Sequence, residues 1–397
     1  MAGLALEGVF ALLRGLGKIF LNPVFYYIFI LAIVLGISRV KRERSEFHVR
    51  AENAFYEFKQ VIPLGLVIGL VLSIIMVIIG VVIPIEFIIF VALFTFILSF
   101  IGHTRWLTSV YTVGLAFFAT LFLLSKDWEL PLIRSQTPEW NASLLAPMAI
   151  VVCLLVIAEG ILIFKNGKNG TSPKMIKSKR GLRVGIHEVK RIWMLPLLLF
   201  IPGESITPPF EWWPVFSIGS ETYSFILVPF AIGFYQQIHS MLPESLVELF
   251  GKKVIKLGMI LTVLSVVVYW YPLFSIIVVA LAIIGREWLS LVHRLGEENR
   301  PLYFSRKQHG VMILGIIPHS PAERMGLKTG ELIMKVNGIG VNSEATFYDA
   351  LEKNRAHCKL EVLDVNDQIR YVQKALYEGD PFKLGIIFVL DDKMAKE

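Results

Sequence analysis

Apolar residues come in long unbroken runs up to about residue 285 and in short alternating runs after it. A helix that crosses a hydrocarbon layer needs ~20 mostly apolar residues. The runs 19–38, 61–82, 85–101, 106–124 and 144–164 meet that length or come close to it. Two further runs, 192–202 and 222–236, are short, and the first contains Pro196. Both are expected as additional spans. The run 254–284 is too long instead. As one straight helix it would extend roughly 45 Å at 1.5 Å per residue, beyond the ~30 Å of a hydrocarbon core. Tyr271-Pro272 stands at its middle, and proline disfavours helical geometry in the residue before it. This predicts two short helices joined by a tight turn. The total is eight or nine spans, depending on residues 1–18 and on the run 192–202.

Charge between the runs tests the count, because cytoplasmic loops carry an excess of Lys and Arg. The loop 39–59 holds Arg39, Lys41, Arg42, Arg44, Arg50 and Lys59, and defines the inner side. Glu86 marks the outer turn of the next hairpin, and Arg105 returns inside. The loop 125–141 carries Asp127, Glu129 and Glu139 against Lys126 and Arg134, which suits the outside. The segment 165–191 is the most basic and reads as inner. The loop with Glu204, Glu211 and Glu221 has no Lys or Arg and faces out, with Phe210, Trp212 and Trp213 as interfacial aromatics. Lys252, Lys253 and Lys256 lie inside again, so the C-terminal tail is cytoplasmic.

Composition agrees. Of 397 residues, 55% are hydrophobic and 18% charged, against roughly 45–50% and 25% in soluble domains. The net charge of +7 sits beside the apolar runs, and no recognition motif accompanies it, so nucleic-acid binding is excluded. Cys153 falls in an apolar run and Cys358 in the soluble tail, which argues against a disulfide. Arg14 and Lys18 follow the first apolar stretch rather than lead it, unlike a cleaved signal peptide.

Ionisable residues inside apolar runs are the default functional candidates. Glu159 is the clearest, and its nearness to Lys165 reads as snorkelling or local pairing. His187-Glu188 is followed by Val-Lys-Arg, not by the spacing of a zinc protease, and no G-x-S-x-G is present. The chain therefore reads as a non-enzyme with no metal or cofactor.

The tail has a different grammar. Trp288, Leu289, Val292 and Leu295 recur at helical spacing over 286–298, as in a short amphipathic linker helix on the inner leaflet. Gly296 and Pro301 mark a boundary. The stretch 310–338 then reads as a strand, a one-turn helix opened by Ser320-Pro321 and broken by Gly326, a turn at Gly330, and a second strand ending at Asn337-Gly338. A helix over 344–354 follows, with Asn342 or Ser343 as N-cap and Phe347, Tyr348 and Leu351 as its apolar face. A hairpin around Asn366-Asp367 joins 359–363 to 369–374.

Ser320-Pro321-Ala322, Gly326-Leu327, Gly330-Glu331, Ile333 and Val336-Asn337-Gly338 together resemble the PDZ family in its bacterial, circularly permuted form. Met325 and Glu331 stand where that family more often has Ala and Asp. The resemblance implies a small β-barrel with two helices over 301–397, and a peptide added as a strand beside the second helix. The family's carboxylate-binding turn is apolar-Gly-apolar. Lys383, Leu384, Gly385 and Ile386 fit it, with Phe347 and Leu351 as the side-chain pocket; the run 384–389 also reads as a closing strand.

The whole layout resembles the MinJ family of cell-division topology proteins. Phe25-Tyr26-Tyr27, Arg39-Val-Lys-Arg-Glu-Arg44 and Phe47-His-Val-Arg50 carry the likeness in the N-terminal part, together with the span pattern and the tail. The resemblance implies a polytopic α-helical membrane scaffold: a membrane domain over 1–285, the linker 286–300 and a cytoplasmic PDZ domain. It also implies a link between the pole and septum marker DivIVA and MinD, keeping the MinC inhibitor of FtsZ near poles and septa. A non-catalytic PDZ subunit of a membrane protease and a transporter with a regulatory PDZ domain are the alternatives.

Overall fold

The computed structural model describes residues 2–101, 104–126, 128, 141–178, 181–208, 210, 212–216, 222–354, 357–375 and 384–389. Its first part is built from helices α1 (Ala2–Gly17), α2 (Pro23–Phe47), α3 (Tyr56–Gln60), α4 (Pro63–Ile79), α5 (Ile85–Phe100), α6 (Ser109–Ser125) and α7 (Leu145–Leu162). A three-stranded antiparallel sheet follows: β1 (Ser172–Lys177), β2 (Arg183–Ile206) and β3 (Tyr223–Ile238). Two more helices, α8 (Pro243–Ser265) and α9 (Phe274–Asn299), complete it. Four helical stretches among the described residues are long and apolar enough to cross a membrane: Pro23–Phe47, Tyr56–Ile79, Ala142–Gly167 and Phe274–Asn299. The break between α8 and α9 contains Tyr271-Pro272, as the sequence predicts, but the helices it separates are long, 23 and 26 residues, and a 3-10 turn over Val266–Tyr269 precedes the proline. Residues 286–299 are the end of α9 rather than a separate linker helix.

The runs 192–202 and 222–236 are not helices. They are the middle of the long β2–β3 hairpin, which corrects the expectation that both add helical spans. The physical reason lies in their length. As a strand, 192–202 extends roughly 36 Å at ~3.3 Å per residue, the thickness that a helix needs ~20 residues to cover. Periodicity cannot separate a short buried strand from a short buried helix. Pro196 and Pro229 face each other across the ladder, a position where neither missing N–H breaks a rung.

Sheet edges are not tolerated in lipid unless protein covers them. Here α4 lies along the open edge of β2. Met194 N–H donates to the Val61 carbonyl (3.0 Å), Leu198 N–H to Ser73 Oγ (2.9 Å) and Phe200 N–H to the Val81 carbonyl (3.4 Å). Pro196, between them, has no N–H to satisfy. Ile83 N–H returns a bond to the Phe200 carbonyl (2.9 Å). The approach is close because α4 presents Gly65 and Gly69: a Cβ there would lie 2.1 Å from the Met194 oxygen and 2.4 Å from that of Pro196. Helix α1 covers the edge of β3, with Gly15 against Phe225. The hairpin is thus the central plank of an apolar body whose core runs from Ile68 and Phe87 through α7 to Val279.

The second part contains β4 (Val311–Ile316), α10 (Pro321–Arg324), β5 (Leu332–Val336), β6 (Ile339–Gly340), α11 (Glu344–Glu352), β7 (His357–Leu363), β8 (Ile369–Ala375) and β9 (Ile386–Phe388). The sheet order is β8-β7-β5-β4-β9, with β6 against β5. One face packs on α11 around Phe347 and Leu360. The other packs on the end of α2, where Phe47 and Ala51 meet Phe304, Met312, Leu314 and Ile387.

Candidate functional site

The C-terminal unit is assembled by short local signals. Ser320 caps α10, its hydroxyl accepting from Glu323 N–H (3.3 Å). Ser343 and Thr346 form a reciprocal capping box on α11. Asn337 and Gly338 both adopt positive φ, and Asn337 is tied to Lys359 through both its backbone and side chain. Glu331 is buried, and Arg370 Nη2 lies 2.7 Å from both its oxygens while Lys328 N–H donates to it. A buried carboxylate held this way is stable only because each lone-pair region has a donor.

The expected peptide-binding residues come together at one end of this unit. The carbonyl of Leu384 accepts from Ala322 N–H and that of Gly385 from Ile317 N–H, both at 2.9 Å. The turn 384–385 is thereby pinned to the start of α10, and β9 leaves it alongside β4. Gly385 has φ +83°, and a Cβ there would lie 2.3 Å from Ser320 Cβ. Leu384, Ile386, Phe347 and Leu351 are all buried in one cluster with Phe388. The Phe347 and Phe388 rings are 5.0 Å apart, and Tyr348, half-buried, stands edge-on to Phe388 at 6.4 Å. On its far side β9 pairs with no other described strand. Lys383 lies outside the described residues. Tyr348 is the half-buried residue of α11 in ring contact with β9, while Phe347 and Leu351 are buried.

A second feature escaped sequence reading, which treats charges in 39–59 and 165–191 only as marks of sidedness. Many of them form a buried layer between the apolar body and the C-terminal unit. Glu57 accepts from Arg39 Nη1 (2.7 Å) and from Arg191 Nη1 (2.9 and 3.0 Å), and the Tyr56 ring lies against both guanidiniums. Glu188 accepts from Arg42 and from Tyr235. Glu43 accepts from Ser172 and from Ala51 N–H. His187 is fully buried, with Nδ1 2.9 Å from Thr171 Oγ1 and Nε2 2.8 Å from the Leu314 carbonyl. Burial pushes its pKa down to about 4, so it is a neutral imidazole that accepts from Thr171 and donates to Leu314. The available signal was the mixed sign of these segments: a purely solvated basic loop has no need of Glu43, Glu57 and Glu188. Glu159 is also corrected. Its partners are Arg286 Nε (2.9 Å) and Ser109, on α9 and α6, not Lys165. A carboxylate fully buried between helices cannot snorkel, so it takes the cation that the packing brings to it.

No family model matches the chain. It is 36% identical over 383 residues to the cell division topological determinant MinJ of Bacillus subtilis, covering 96% of each chain. It is 23% identical over 255 residues to a Lacticaseibacillus paracasei protein named probable cell division topological determinant MinJ, covering 61% of this chain and 65% of that one. These names describe topological determinants of division, not enzymes. With likeness running nearly end to end through both the apolar body and the C-terminal sheet, the chain belongs to the MinJ family.

Proposed function

We propose that this protein is a multi-pass membrane scaffold whose C-terminal unit is a cytoplasmic PDZ-type domain. It links a DivIVA-like marker of poles and septa to a MinD-like protein of the division inhibitor, and so positions division. The observation that carries this reading is the 36% identity with the Bacillus subtilis determinant over 96% of both chains. The edge of β9 beside α11, which pairs with no other described strand, supports peptide capture by strand addition, in which main-chain bonds supply affinity and adjacent pockets supply specificity. The positive charge at the end of α2 and along β1 and β2, next to the C-terminal unit, supports that end as the inner one.

The test is localisation of a fluorescent full-length chain in dividing cells, with and without residues 301–397. Enrichment at septa and poles, and co-purification of division proteins from solubilised membranes, is the expected result. Even distribution over the membrane, or co-purification of a protease instead, would overturn the reading.

A further inference from the structure

On the other side of the hairpin, a cavity of about 250 Å³ opens between the turn Thr104–Leu107, the start of α6, the end of β3 and the last turns of α9. Arg105, Thr108, Gln236, Arg286, Ser290 and His293 are in its wall. Buried polar atoms almost always have hydrogen-bond partners, and each exception asks for an explanation. Three residues of its lining carry a buried polar atom with no hydrogen-bond partner: Thr108 (Oγ1), Gln236 (Oε1) and His239 (Nε2). Thr108 is 2% exposed and Gln236 7%. Thr108 stands at the N-cap of α6, yet its hydroxyl is not used on the helix.

The wall is rich in donors. Arg286 gives Nε to Glu159 and Nη1 to Ser290, and Arg105 gives Nη2 to Glu287. A guanidinium has five N–H donors, and both groups also border the cavity. The Gln236 amide contacts His293; turned over, it gives its NH₂ to the cavity and its oxygen to the imidazole. Of the acids in the wall, Glu297 already accepts from His239 N–H, Ser240 N–H and the Ser240 hydroxyl, and Glu298 is exposed.

We propose that this cavity binds a phosphate ester, with the Thr108 hydroxyl, the Gln236 amide and the guanidiniums of Arg105 and Arg286 as donors. Two arginines can grip such a group through parallel N–H bonds. At the same level, the opposite face of α9 exposes Trp288, Leu291 and Leu295, a face suited to the lipid interface. The headgroup of an inner-leaflet phospholipid is therefore the favoured source. That source rests on the membrane reading above.

The full chain is purified in neutral detergent and melted with dioctanoyl phosphatidylglycerol, with glycerol phosphate, or with dioctanoyl glycerol, which has no phosphate. The phospholipid should raise Tm by several degrees and the phosphate-free lipid should not. Thr108→Val keeps the side-chain shape, should melt no lower than the parent without ligand, and should bind the phospholipid about tenfold more weakly, the worth of one hydrogen bond to a charged group. If Thr108→Val fails to fold, Gln236→Met takes its place. An equal response to glycerol phosphate supports the site and makes its ligand soluble. No response to any phosphate compound, an equal response to the phosphate-free lipid, or an undiminished response in the variant would overturn it. A chain recovered from cells without detergent removes the membrane reading instead, whatever the melts show.

Discussion

His187 Nε2, on β2, donates to the carbonyl oxygen of Leu314, on β4, across 2.8 Å. This bond, with that from Gly185 N–H to the Phe304 carbonyl (2.9 Å), stitches the long hairpin to the C-terminal unit. The imidazole is packed against the Phe304 ring, and neighbouring Glu188 points to the opposite face of the strand, toward Arg42. Among the described residues its two ring partners are the Thr171 hydroxyl and the Leu314 carbonyl, and neither is a carboxylate that would support a second proton.

The pH dependence follows from that. A pKa of about 4 in the folded state, below the ordinary 6.5, means that the unfolded chain binds the extra proton more readily. The contribution of the neutral imidazole is fully present above pH 6.5 and is lost as pH falls toward 4, by about 3 kcal/mol in all. Thermal melts of the full chain between pH 7.5 and 4.5 should show this slope, and His187→Gln should flatten it. An unchanged slope in the variant would count against the assignment.

Glu57 holds two buried guanidiniums, so Glu57→Gln leaves Arg39 and Arg191 under-compensated in a dry layer. The expected cost is about 3–5 kcal/mol. Because Arg191 is on β2 and Arg39 on α2, the variant should also loosen those elements, and limited proteolysis should cut within 48–55. A melt within error of the parent would refute the role.

Gly69 allows α4 to lie on the β2 backbone, and Ser73 satisfies the Leu198 N–H. Gly69→Leu should force the two apart, and overpacking of this kind costs about 1–3 kcal/mol or more. Ser73→Ala should cost about 1–3 kcal/mol by orphaning one buried N–H. Ser73→Thr, which keeps the hydroxyl, should be milder; the order of the three Tm values is the measurement.

At Gly385 the positive φ and the closeness of Ser320 mean that any side chain strains the turn before it meets a peptide. Gly385→Val should therefore lower the stability of the C-terminal unit, by more than the ~1–2 kcal/mol of a left-handed residue alone. Tyr348→Ala, at the half-buried edge of α11, should weaken partner capture with a smaller loss of stability. Titration beside a melt separates the two effects, and Tyr348→Ala binding as the parent does would exclude the β9–α11 groove.

Sidedness can be read chemically. Cys153 and Cys358 are both buried, and a background with both replaced can carry single cysteines at exposed Leu182 or Asn342. Neither position should react with a membrane-impermeant thiol reagent in intact cells, and both should react after permeabilisation. Labelling of either in intact cells would overturn the proposed orientation.

What the sequence by itself determined were the features set by local rules. Runs such as 63–79 and 145–162 are long and almost wholly apolar, and a run of that length can satisfy its own backbone as a helix. Tyr271-Pro272 breaks 254–284 because proline acts on its own neighbour. Ser320, Gly330, Asn337-Gly338 and Ser343 punctuate the C-terminal unit through caps and turns that reach only a few residues. Tertiary structure decided the rest. Whether 192–202 and 222–236 become helices or a hairpin depends on α4 and α1 covering the edges, and those partners are distant in the chain. The pairing of Glu159 with Arg286, of Glu57 with Arg39 and Arg191, and of His187 with Leu314 joins positions separated by up to 134 residues or lying in different units. A charge reads in sequence as solvated or basic; only packing decides which charges lose their water, and those must then find each other.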